Sequence, residues 1–210
     1  MEVNNNTACK YNFSQKASEN KNIMNSDKQQ NEHFSDIVGK LKEAPTYKEA
    51  NKALFDAVNS GKMAVKNSVL FKCDDYTVQT MFKRFAEGYI RNQKRISDLN
   101  LSIAPKYIDT IEKGNDVYII SQVPGTKTGD LIPFYQAKSL VSKEDLQQAF
   151  LDLKTLTKKG ITDQNVLNGR MIFVTPDDHK VMIPSWETLR PVQNGEAPKV
   201  IEQYQKILFG

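Results

Sequence analysis

The order of segments between Asp116 and Trp186 constrains this chain more than any single motif in it. An apolar run, DVYIISQV, stops at Pro124-Gly125. An amphipathic helix follows, then LTKKGITDQNVLN. Two further apolar runs, GRMIFVT and KVMIPSW, then flank the turn Pro176-Asp177-Asp178. With the segments that precede it, the chain reads strands, helix, strands, helix, hairpin, helix. That pattern defines an α+β fold in two layers.

Local signals set the elements. Thr46 with Glu49 three residues on forms a capping-box pattern. Ala50, Ala53, Leu54, Ala57 and Val58 follow as one apolar stripe at helical spacing, and Gly61 stops that helix. SVLFKC and VQTMFKRF have strand composition on either side of Asp74-Asp75. A helix is expected from Ala86 to Leu99, with Tyr89, Ile96 and Leu99 inward. KYIDTI and DVYIISQV make a hairpin across Lys113-Gly114-Asn115. Ser142 caps a helix from Lys143 to Thr157, whose core face is Leu146, Phe150 and Leu153. A short amphipathic helix closes the chain from Val200 to Leu208.

Composition narrows the function classes. At 210 residues with 39% hydrophobic content, the chain supports one domain, or one with a tail. No apolar run approaches the ~18 residues of a membrane span. A charged start followed by an apolar stretch is missing, so no cleaved secretory signal is expected. Cys9 and Cys73 are the only cysteines, which points to a reducing environment without structural zinc. Two histidines, His33 and His179, argue against a histidine metal site or a Ser–His–Asp triad. The net charge is +4, with basic clusters at Lys83-Arg84, at Arg91 with Lys94-Arg95, and at Lys158-Lys159. Solvated helix faces explain such clusters, as does a groove for phosphate or an acidic partner. No nucleic-acid-binding motif accompanies them.

From about residue 61 to residue 190 the order of these segments resembles the protein-kinase fold. It is most similar to the minimal kinase-like effectors injected by bacterial type III secretion, the OspG and NleH kind, with degenerate catalytic motifs. The resemblance implies a small N-lobe, an antiparallel sheet plus a helix, and a truncated, mainly helical C-lobe. It also implies ATP with magnesium as cofactor. Lys83, in MFKRF, would contact the α- and β-phosphates, and Gln93 would stand where the partner glutamate of that lysine belongs. YIISQVPGT would be the hinge, with the backbone of Ser121 to Val123 facing the adenine. Gly61 would lie in the phosphate-covering loop, although GKMAVKNSV lacks further glycines, and a helix C-cap explains it as well.

The acids of the family pattern are degenerate. Phosphoryl transfer needs an aspartate base and, a fixed short spacing later, an asparagine on the metal. Asn165-Val166-Leu167 matches the end of that loop. Counted back at the usual spacing, Asn165 pairs with Gly160. If the loop carries a deletion, Asp163 is the catalytic aspartate. The second metal ligand falls on Ser185, before Trp186, with Glu187 as its neighbouring substitute. A serine is a weak ligand for a hard cation.

Four segments are therefore expected. A disordered tail covers 1–33, as an uncleaved export signal or any floppy tail would. A helical extension covers 34–60, an N-lobe 61–123 and a truncated C-lobe 124–210. The resemblance implies a pseudokinase effector that is secreted by bacteria into the host cytoplasm. There it would bind a host protein of the ubiquitin system, ubiquitin or a ubiquitin-conjugating enzyme. Two alternatives stand beside it. One is an active atypical protein kinase with Asp163 as base; the other is an unrelated small α+β binding domain.

Overall fold

The computed structural model of the chain describes residues 32–67 and 69–210. The tail expected over 1–33 lies outside these residues, apart from its last two. Those two belong to a helix, α1, over 32–43. The helical extension therefore starts inside the segment expected to be tail. Helix α2, Tyr47–Asn59, follows after a short turn. Its N-cap Thr46 accepts the Glu49 N–H, and the Thr46 hydroxyl reaches the Glu49 carboxylate at 2.8 Å. Gly61 ends the turn with φ +74, a conformation that favours glycine.

A five-stranded antiparallel sheet comes next. Its strands are β1 (Ala64–Asn67), β2 (Leu70–Cys73), β3 (Tyr76–Phe82), β4 (Lys106–Lys113) and β5 (Asp116–Gln122), in the spatial order β1-β2-β3-β5-β4. The crossover from β3 to β4 holds helix α3, Lys83–Ser97. β5 is interior, so both its faces must be covered. Side chains alternate across a strand, and β5 shows the consequence. Tyr118 and Ile120 pack under α1 and α2 with Leu41, Leu54 and Val78. Val117 and Ile119 pack under α3 with Ala86.

The expected strand through MFKRF stops earlier than the sequence suggested. Phe82 is the last residue of β3, and Lys83 opens α3. The two phenylalanines that made the run look like a strand are not packed. Phe82 and Phe85 are 58% and 61% exposed.

The second half builds its own core. Helix α5, Lys143–Lys158, begins at Ser142, whose hydroxyl accepts the Asp145 N–H at 3.0 Å. With α7, Ala197–Phe209, it encloses Leu153, Leu156, Trp186, Tyr204 and Leu208. Short strands line this core. β6 (Ile132–Pro133), β8 (Phe173–Val174) and β9 (Val181–Met182) form one small sheet, and β7 (Ile161–Asp163) pairs with β10 (Leu189–Pro191). Two four-residue helices complete the set, α4 (Phe134–Ala137) and α6 (Gln164–Leu167). The chain is α+β, as the segment order implied.

One buried carboxylate ties the halves together. Asp152 on α5 accepts the backbone N–H of Ser102 at 2.7 Å, its hydroxyl at 2.7 Å, and the Ile103 N–H at 3.3 Å. Gln148 bonds the other oxygen at 2.9 Å. The Ile183 N–H adds a bond to the Ile103 carbonyl at 2.7 Å.

Candidate functional site: the cleft below the sheet

A cleft of about 510 Å³ lies between the α3 side of the sheet and the small β6-β8-β9 sheet. Its roof comes from alternate residues of β3 and β5. Thr77 and Gln79 point into it from β3, and Ile119 and Ser121 from β5. Met171 and Phe173 form the floor, while Pro184, Ser185 and Glu187 close one side.

The back of the cleft is a neutral polar pair. Tyr89 of α3 donates its phenol proton to the Gln79 side-chain carbonyl at 2.9 Å. Burial pushes the Tyr89 phenol up to about 12. It stays protonated, so the pair carries no charge at neutral pH. Ser185 turns its hydroxyl to the Glu187 carboxylate at 3.0 Å.

The cations of the cleft are engaged at its front. The Lys72 ammonium, on β2, donates to the carbonyls of Thr126 and Gly129. Burial lowers its pKa, against the nearby charge of Asp130. Lys66 pairs with Asp130 at 2.9 Å. These bonds tether the loop after β5 to the β1–β2 hairpin. The same loop is held from elsewhere. Asp75 accepts the Thr126 N–H at 3.0 Å. Asp177 accepts the N–H groups of Lys127 and Thr128, at 2.7 and 3.0 Å.

The backbone expected to face an adenine is largely employed elsewhere. Ser121 and Gln122 pair with β3 on one side and β4 on the other. The Val123 N–H donates to the Asp75 carbonyl at 2.6 Å, and its carbonyl accepts the Thr126 hydroxyl at 2.8 Å. A ligand edge would meet few unpaired main-chain groups here. The side chains of Ser121 and Val123 do line the cleft, as does Ser185.

The remaining expected site residues lie elsewhere. Lys83 is outside the cleft and forms an exposed ion pair with Glu112 of β4, at 2.6 Å. The reason is register. Lys83 is past the end of β3, and the β3 residue with its stem over the cleft is Gln79. Gln93 is 4% exposed on the inner side of α3, with its amide nitrogen unbonded, and has no part in holding Lys83. Gly61 caps α2 through a bond from its N–H to the Val58 carbonyl at 2.9 Å, and does not line the cleft.

Asp163 is fully buried. It caps α6 by accepting the N–H groups of Asn165 and Val166, at 2.9 and 3.2 Å. It also takes the Thr188 N–H and hydroxyl. Asn165 therefore meets Asp163 through its backbone, and neither residue lines the cleft. Asp163, Asn165 and Ser185 do not converge on one point.

Sequence reasoning missed Gln79, Tyr89, Lys72 and Asp75. Strand alternation could have found the first, because Val78 is apolar and its neighbours Thr77 and Gln79 must share the opposite face. Lys72 and Asp75 act through loop carbonyls and amides, which no side-chain pattern announces. No protein-family model matches this chain, and no curated protein matches it either.

Proposed function

We propose that this chain is a protein-kinase-like domain that has lost phosphoryl transfer and acts by binding another protein. Within the resemblance drawn above it is a pseudokinase effector of bacterial type III secretion. Its setting is then the host cytoplasm, and its partner a host protein of the ubiquitin system. The sheet order, the helix between the third and fourth strands, and a second lobe below a cleft all support the kinase-like part.

Asp163 carries the loss of catalysis. A general base needs a free lone pair within reach of the substrate proton. Asp163 is instead fully buried and outside the cleft, with both oxygens turned to donors of the core. Magnesium-bound ATP does not fit the remaining groups. Its phosphates need a free cation; the roof offers the neutral Gln79–Tyr89 pair, and the cleft lysines, Lys66 and Lys72, are held by Asp130 and by the Thr126 and Gly129 carbonyls. Its adenine needs hinge amides, and the Val123 amide is bonded to Asp75. Its metal needs carboxylates; of the two that line the cleft, Asp130 is paired with Lys66 and Glu187 takes the Ser185 hydroxyl.

A thermal shift series with ATP, alone and with magnesium or manganese, tests this reading. A ligand raises Tm only if it binds the folded state. We expect no metal-dependent rise. A rise with ATP and metal that disappears in Gln79→Ala would contradict it.

A further inference from the structure

We propose that the exposed face at the start of α3 is a docking surface for an acidic protein segment bearing an apolar side chain. This rests on the reading that the chain acts by binding protein, and it names where. Phe82 and Phe85 are both more than half exposed. Between them lies Arg84, whose guanidinium carbon is 4.6 Å from the Phe85 ring centre and 5.9 Å from that of Phe82. The helix also carries Lys83, Arg91, Lys94 and Arg95 against a single carboxylate, Glu87. Its net charge equals that of the whole chain, +4.

The local chemistry works against the helix itself. Cations in a first turn face the positive end of the helix dipole and destabilise it. In the same chain, α2 and α5 start with a hydroxyl cap and acids in the first turn, while α7 has no side-chain cap and a proline in its first turn. α3 starts with Phe82 at the N-cap, no side-chain cap, and no acid in its first turn. The fold compensates this start only in part: the Lys83 N–H donates to the Asn115 carbonyl at 2.8 Å. Lys83 has Glu112 as partner. Among the described residues, Arg84, Arg91 and Arg95 take part in no salt bridge.

These features match one chemistry. An arginine held over a ring keeps its fork ready for a carboxylate. The exposed ring edges offer apolar contact beside it, the aromatic-plus-arginine composition of binding hot spots. A nucleic acid is the less favoured occupant. Glu87 and Glu112 put carboxylates within the patch, and Arg84 covers ring faces that bases would stack on.

The test selects short peptides from a random display library on the full chain. The selected peptides and a labelled single-stranded oligothymidylate are then measured against the chain and against Arg84→Glu with Phe85→Ala. The variant removes exposed groups only, and circular dichroism with Tm confirms that it is folded. We expect peptides rich in Asp and Glu with a recurrent aliphatic or aromatic residue. Their affinity should fall at least about tenfold in the variant. Peptides without acidic enrichment, peptides that bind the variant equally, an empty selection, or tighter binding of the oligothymidylate would each overturn the proposal. Failure here leaves the loss of catalysis untouched. A metal-dependent ATP shift would refute the misfit of ATP to the cleft and leave the docking face standing.

Discussion

Thr188 donates its backbone N–H and its hydroxyl to Asp163, at 3.0 and 2.8 Å, one to each carboxylate oxygen. With the two N–H groups of α6 on the same carboxylate, Asp163 is the knot that joins the β7–α6 turn to the segment after Trp186. Hydrogen bonds to a charged group contribute more than neutral ones, and losing several at a buried site is costly. Asp163→Asn is therefore expected to lower stability by about 2–3 kcal/mol in urea unfolding. A change within about 0.5 kcal/mol would mean the carboxylate does not hold the fold.

Asp152 performs a similar task between the halves of the molecule. Asp152→Ala strips the partner from Ser102, Ile103 and Gln148 together and leaves the buried Ile103 N–H unpaired. We expect a loss of about 3 kcal/mol. Amide exchange should quicken around residues 101–104 before it does in β5, because α5 no longer anchors that segment. Equal protection in variant and wild type would oppose this.

Two glycines separate backbone strain from crowding. Gly114 and Gly125 both have positive φ, +65 and +77. A Cβ on Gly114 would meet open space, so Gly114→Ala should cost only the left-handed strain, about 1 kcal/mol. A Cβ on Gly125 would lie 2.4 Å from Asp178 Oδ1 and 2.9 Å from Thr175 Cβ. Asp178 can swing aside, but Thr175 is held by bonds to Lys180. Gly125→Ala should thus cost clearly more than Gly114→Ala in the same unfolding assay. Equal costs would show that the loop after β5 gives way freely.

Glu196 provides a pH signature. Its paired bonds with Arg190, at 2.9 and 2.5 Å, and the Gln193 N–H hold its carboxyl down at about 2, below the ordinary 4.5. A carboxyl whose folded value is depressed stabilises the fold above its unfolded value and loses that contribution as pH falls through the folded one. The Tm difference between wild type and Glu196→Gln should be full above pH about 5 and shrink towards pH about 2. A constant difference over that window would mean the charge is not what holds the pair.

Much of the architecture is legible in the sequence because its signals are local. Thr46 with Glu49 and Ser142 with Asp145 mark helix starts through bonds made within one turn. The β4–β5 hairpin announces itself through Gly114. What stays hidden depends on contacts distant in sequence. β6, β7 and β10 are two or three residues long and exist only because a partner strand is present. Lys83 looked like the cleft lysine because Met81-Phe82 before it and Phe85 after it are apolar. The exposure of the two phenylalanines, which only the fold reveals, moves the cleft position back to Gln79. Asp163 showed a polar residue before an apolar run. Whether such a residue faces a substrate or caps a turn depends on Thr188, which is far away in the chain.

The most direct measurement is transfer of labelled phosphate from ATP, with magnesium or manganese, to the chain itself and to generic protein substrates. It should compare wild type with Asp163→Asn. The account predicts no transfer by either, because the carboxylate that would act as base is bonded on both oxygens inside the core. Transfer by the wild type that Asp163→Asn abolishes, while the variant remains folded, would contradict it.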